Sequence, residues 1–166
     1  MKKLVLILLV VPMLIWFSVR IGNNIIYGKD CGGYLKRAAD ANTVSVASKE
    51  LGIAISYMET NKLTDGYTSV IYKTPDEDIG FWYNNIKSAK QELDLLPETA
   101  TPLEKTNVLM KLRETLLDNR KDGSSITDPD GISIYPNNIF WFWFGIISLL
   151  SFIGSCIFFV LPSDDY

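Results

Sequence analysis

The sequence predicts a mostly α fold in which two transmembrane helices, N- and C-terminal, flank an extracytoplasmic three-helix antiparallel bundle, with room for a minor two-strand ribbon. Three observations predict it: an uncharged apolar run from Ile139 to Leu161, a second apolar run from Leu4 to Val19 behind Lys2 and Lys3, and helical periodicity in the polar middle. The expected boundaries are an N-terminal signal anchor at 1–26, a Gly-rich joint at 27–33, the bundle at 34–121 and a turn-rich tether at 122–137. A C-terminal transmembrane helix at 138–161 and a short acidic tail at 162–166 complete the chain.

The run from Ile139 to Leu161 covers about 34 Å as a helix, slightly more than the roughly 30 Å hydrocarbon layer. About fifteen Ile, Leu, Val and Phe residues at about 0.3–0.6 kcal/mol each favour insertion, and no ionisable group opposes them. The first run has the charged and apolar regions of a secretory signal, but Arg20 follows it without a small-x-small cleavage pattern, which favours an uncleaved anchor. Lys2 and Lys3 form the compact basic end, so the positive-inside rule places both termini in the cytoplasm and the middle outside, in the periplasm or extracellular space. Tyr135 and the aromatic residues 140–144 are then expected at the outer interface, where Trp and Tyr concentrate.

Glycines 22, 28, 32 and 33 suggest a flexible link between membrane and domain. From about Tyr34 to Asn61, Ala38, Ala41, Ala47, Leu51, Ala54 and Met58 share one face of an expected first helix. Leu63 to Lys73 alternates as a strand would after the Asp65-Gly66 break, and Gly131 to Tyr135 is its candidate ribbon partner. Thr74-Pro75-Asp76-Glu77 and Thr101-Pro102-Leu103-Glu104 each carry the signature of a capping box with Pro at the first helical position. They predict helices from Pro75 to about Leu95, stopped by Pro97, and from Pro102 to about Asn119, with Gly123 available to end it. Asn137 or Asn138 can cap the last helix.

Composition narrows the function. The net charge is −3 and basic residues are dispersed, so nucleic acid is not an expected partner. Histidine is absent, which removes the commonest general base and transition-metal ligand; no enzyme activity, cofactor or metal is expected. The Asp76-Glu77-Asp78 run matches the positive end of a helix dipole, and Asp128-Pro129-Asp130-Gly131 an ordinary turn.

The candidate partner-binding residues are Tyr67, Tyr72, Phe81, Trp82 and Tyr83, because amphipathic aromatics serve as anchors on binding surfaces. Trp82 falls on the inward face with Ile79 and Ile86, and Phe81 and Tyr83 on its two sides cannot both be buried. Ser148, Ser151, Gly154 and Ser155 form a small-residue face for membrane-helix packing. Cys31, on the expected mobile joint, is a candidate for an intermolecular disulfide. The expected function is a non-enzymatic membrane-anchored interaction or scaffold protein, its partners the lipid bilayer and either another protein or a second copy. The alternative is an accessory ligand-sensing or regulatory subunit of a membrane complex with an aromatic pocket near Trp82.

Overall fold

In the computed structural model, which describes residues 2–120 and 123–160, helix α1 (Lys2–Tyr27) does not stop where its apolar run ends. It passes through one π-helical turn (Gly28–Gly32) into α2 (Gly33–Ala39), making a continuous rod from the apolar segment into the middle of the chain. The flexible joint expected at 27–33 is therefore helical and packed. Its glycines serve close approach: a Cβ on Gly33 would meet the Gly28 carbonyl oxygen at 3.0 Å, and one on Gly32 would meet Ile126 Cδ1 at 3.4 Å. Tyr27, Cys31 and Leu35, four residues apart, are all buried along this rod.

The helix expected over 34–61 is broken at Asp40–Thr43. Thr43 adopts an extended conformation and its hydroxyl accepts from Val46 N at 3.3 Å, starting α3 (Val44–Thr60) as an N-cap. Helices α2 and α3 pack together through Leu35, Ala38 and Ala39 on one side and Ala47, Leu51, Ala54 and Met58 on the other, all buried. The alanines bring the two backbones close. The Arg37 guanidinium donates to the buried Glu50 carboxylate across this contact at 2.7 Å.

Helix α4 (Ile79–Leu95) starts four residues later than its Thr-Pro signature predicts. Pro75–Glu77 forms a single 3-10 turn, and Asp78 caps α4 by accepting from Phe81 N at 3.0 Å. Helix α5 (Pro102–Leu116) begins where expected with a complete capping box: Thr101 Oγ1 accepts from Glu104 N, and Thr101 N donates to Glu104 Oε2 at 2.7 Å. It ends at Leu116, and strands β1 (Leu117–Arg120) and β2 (Gly123–Ile126) follow as an antiparallel pair, Leu117 opposite Ile126 and Arg120 opposite Gly123. Helices α3 and α4, α4 and α5, and α2 and α5 are in contact, with Ile79, Ile86, Leu93, Leu112 and Leu116 buried among them.

The ribbon expected between Leu63–Lys73 and Gly131–Tyr135 does not form. Tyr67 makes only an isolated bridge to Asp78, and Ile132–Ile134 is a 3-10 turn. The cause is the turn before it, closed by Ile132 N donating to Pro129 O at 3.2 Å, with Gly131 at φ 77° in the third position that favours glycine. The two segments still meet through side chains: Tyr135 Oη donates to Asp65 O at 2.9 Å and Asn138 Nδ2 to Thr68 O at 2.8 Å. Gly66 (φ 97°) lies beneath Tyr135, where a Cβ would come within 2.3 Å of the hydroxyl oxygen. The tether expected at 122–137 is accordingly packed down, with Ile132 and Ile134 buried.

Helix α6 (Asn138–Val160) lies against α1. Trp16 Nε1 donates to Trp141 O at 2.9 Å, and the Trp16 indole rests on Gly145, where a Cβ would sit 2.6 Å from that nitrogen. The architecture is thus mostly helical with one two-strand sheet, and two of its helices are long and apolar enough to cross a membrane. The acidic tail expected at 162–166 lies outside the described residues.

Candidate functional site

The five aromatic residues singled out by sequence do not form one surface. Trp82 and Tyr83 are buried: Trp82 Nε1 donates to Thr127 O at 2.6 Å, and Tyr83 Oη donates to Glu59 Oε1 at 2.7 Å. Glu59 and Lys87 both hold the Tyr83 hydroxyl, and the bond to the carboxylate, followed by burial, raises its pKa. Phe81 is exposed, as Tyr72 is on the neighbouring loop. Tyr67 is half-buried under the Lys73 ammonium, 4.8 Å from its ring centroid. A cavity of about 310 Å³ does adjoin Trp82, but much of its wall is carboxylate, including Asp76, Asp78, Asp128 and Asp130. Phe81 and Trp82 share its wall with these carboxylates, so the cleft is both acidic and aromatic.

The larger concavity lies elsewhere, where α1, α6 and the loop between Tyr67 and Asp78 converge. It holds about 750 Å³, within the range of small-molecule sites. Local chemistry builds its rim. Thr68 N donates to Glu77 O at 3.1 Å and Ile79 N to Gly66 O at 2.9 Å, which closes the loop at its neck. Thr74 Oγ1 hydrogen-bonds Glu77 Oε2 inside it. Asn138, the first residue of α6, is buried and ties the loop to that helix through the Thr68 and Tyr67 carbonyls.

The groove runs from the two apolar helices to the domain loop. Met13, Trp16, Phe142, Ile146 and Leu149 wall it along the helices. Its polar groups, Arg20, Thr68, Ser69, Asp76, Glu77 and Asp130, come from the domain-proximal part of α1 and from the loops, where apolar Val70, Ile71, Tyr72 and Ile134 stand among them. Thr68 is 7% exposed and its hydroxyl has no hydrogen-bond partner; the buried Ser69 Oγ has none either. Arg20 lies over the Trp16 ring, 5.4 Å from its centroid, and makes no ion pair among the described residues. Ile71 and Tyr72, each 73% exposed, project from the same loop.

The remaining candidates are placed as follows. Cys31 is fully buried in the core rather than carried on a mobile link, so a second copy has no access to its thiol in the folded chain. Ser148 and Ser155 are buried within the described residues, whereas Gly154 has nothing within 4 Å of an added Cβ. Ser151, half-buried, lies on the same side of α6 as Ser148 and Ser155, so three of the four small residues share a face and Gly154 falls off it. Among the described residues, no group of three or more Cys, Asp or Glu side chains is placed to hold a metal ion.

Sequence reasoning missed Thr68, Ser69 and Asn138. Their importance depends on a loop meeting two helices that are distant in the chain, and no local pattern signals that. Comparison with protein-family models, curated proteins and solved structures gives no match. What is defined is a class: a mostly helical protein with two candidate membrane-spanning helices and an amphipathic groove where they join the rest of the chain.

Proposed function

We propose that the protein is a non-enzymatic accessory subunit of a membrane, inserted by α1 and α6, which takes an amphiphilic ligand into the groove at their junction with the helical domain. Both termini face the cytoplasm and α2–α5 form an antiparallel bundle outside, following the basic end at Lys2 and Lys3. The observation that carries the proposal is a largely apolar groove walled by both candidate spans and the Tyr67–Asp78 loop, which also holds Arg20, without an ion pair among the described residues, and Thr68 and Ser69, whose buried hydroxyls have no partner. Buried polar groups are nearly always satisfied, and a ligand head that drew these two side chains round to the groove would satisfy them while its tail lay along Met13, Phe142 and Ile146.

The walls of the groove belong to both spans and to a loop of the domain. Occupancy therefore favours the packing of these three parts seen here, to the extent that the ligand binds it better than alternatives. That is the basis for a regulatory or sensing role.

The test is photolabelling of the full chain in nanodiscs with an alkyl diazirine probe, followed by peptide mapping. Preferential labelling near Met13, Phe142 and Ile146, lost in Ile146→Trp, is expected. Labelling spread evenly over all lipid-facing positions of α1 and α6 would remove the groove as a ligand site. A protein partner or second copy is the second reading, favoured by Phe81, Leu95 and Leu103, which are 65%, 82% and 69% exposed on α4 and α5. Photocrosslinkers at Leu95 and Leu103 in native membranes should then capture a discrete protein or a dimer.

A further inference from the structure

We infer that the domain-proximal part of the groove recognises a glycerophospholipid whose headgroup carries both a phosphate and a primary ammonium. This rests on the proposal that the groove takes an amphiphile, and it adds the chemistry of the head. Arg20 is the anchor for the phosphate. It stands on α1 at the end of the apolar run, its guanidinium lies across Trp16, and no carboxylate pairs with it among the described residues. A guanidinium offers five donors in a planar fork suited to phosphate oxygens. Thr68 Oγ1 and Ser69 Oγ, of two lining residues, are buried and unpartnered, and a turn of either side chain towards the groove would add a hydroxyl donor.

The rest of the wall selects the other half of the head. Asp76, Glu77 and Asp130 face the groove as well, giving it three carboxylates against one arginine. A purely anionic head would satisfy Arg20 but meet this excess of negative charge, whereas a zwitterion satisfies both signs. The carboxylates are acceptors that call for N–H donors. A quaternary ammonium has no N–H to donate to them, whereas a primary ammonium has three. The acyl chains would follow the helix-walled part of the groove, continuous with the lipid that surrounds two membrane helices.

The experiment is native mass spectrometry of the full chain after detergent exchange, with phosphatidylethanolamine, phosphatidylcholine and phosphatidylglycerol added at equal concentration. One retained phosphatidylethanolamine per chain is expected, at least tenfold above the other two, with a loss of tenfold or more in Arg20→Gln and a smaller loss in Thr68→Val. Thr68→Val keeps the shape of the side chain and removes only its hydroxyl, so it tests the head site even if the charge change at Arg20 impairs insertion. Equal retention of all three lipids, unaffected by Thr68→Val but abolished by Ile146→Trp, would overturn the headgroup assignment and leave an amphiphile site. Retention of none, together with even photolabelling, would overturn both.

Discussion

Glu50 is 4% exposed, and the charge that stabilises it is supplied by Arg37, whose side chain is largely solvent-exposed. One carboxylate oxygen takes the guanidinium at 2.7 Å; the other, Oε2, has no partner. Removing the arginine leaves a buried carboxylate uncompensated, so Arg37→Ala is expected to destabilise the fold by about 2 kcal/mol. Glu50→Gln, which removes the charge and keeps an acceptor, should lose less. Thermal unfolding in detergent micelles measures both, and an Arg37→Ala variant as stable as the parent would show that the pair contributes nothing.

Asp128 poses the opposite problem at the same scale. Burial raises its pKa, against the lowering effect of the nearby Tyr27 hydroxyl and of its own backbone. A folded pKa above the unfolded value of about 3.9 means that the native state binds the proton more tightly. Stability is therefore greatest below the unfolded pKa and falls as pH rises through the folded one. Asp128→Asn should accordingly melt higher than the parent at pH 7, and the difference should close as the pH is lowered towards 4. A constant difference across that range would place the effect of the substitution outside the ionisation.

Among the elements, α4 and α5 share a Thr-Pro signature yet begin differently, and this separates what a sequence reveals from what it hides. At Thr101 the box closes and the helix follows at once. At Thr74 the hydroxyl reaches only the Glu77 side chain, because Asp78, one residue before the apolar Ile79, offers a better-placed cap. Thr101→Ala and Asp78→Ala should each cost about 1 kcal/mol, and Thr74→Ala clearly less. Equal losses at Thr74 and Asp78 would mean that α4 depends on the 3-10 turn before it.

The apolar runs, the Pro102 start and the inward position of Trp82 are legible because composition or spacing within a few residues determines them. The π turn is not, since glycines at 28, 32 and 33 suit a flexible link and a tight helical contact equally; Ile126, distant in sequence, decides for contact. The groove is illegible for the same reason. Thr68, Arg20 and Ile146 lie in three separate segments, and each alone is an unremarkable loop or helix residue.

For the whole molecule, the rod α1–α2 joins the N-terminal apolar helix to the domain without a break, while Asn138 and Tyr135 tie the domain to the start of α6. The C-terminal end of α1 and the first turns of α6 adjoin the domain, so if both helices cross the bilayer, α2–α5 lie on one side and both termini on the other. The proposed sidedness rests on Lys2 and Lys3 alone. Cys31 cannot report it, because its thiol is buried, but that burial makes a clean background. In a Cys156→Ser chain carrying Ser88→Cys on the exposed surface of α4, a membrane-impermeant maleimide should label intact cells, and the parent Cys156→Ser chain should stay unlabelled until it is unfolded. Labelling of the Ser88→Cys chain only after the cells are opened would place α2–α5 in the cytoplasm. The groove would then draw its lipid from the inner leaflet, and the basic end at Lys2 and Lys3 would have failed to orient the chain.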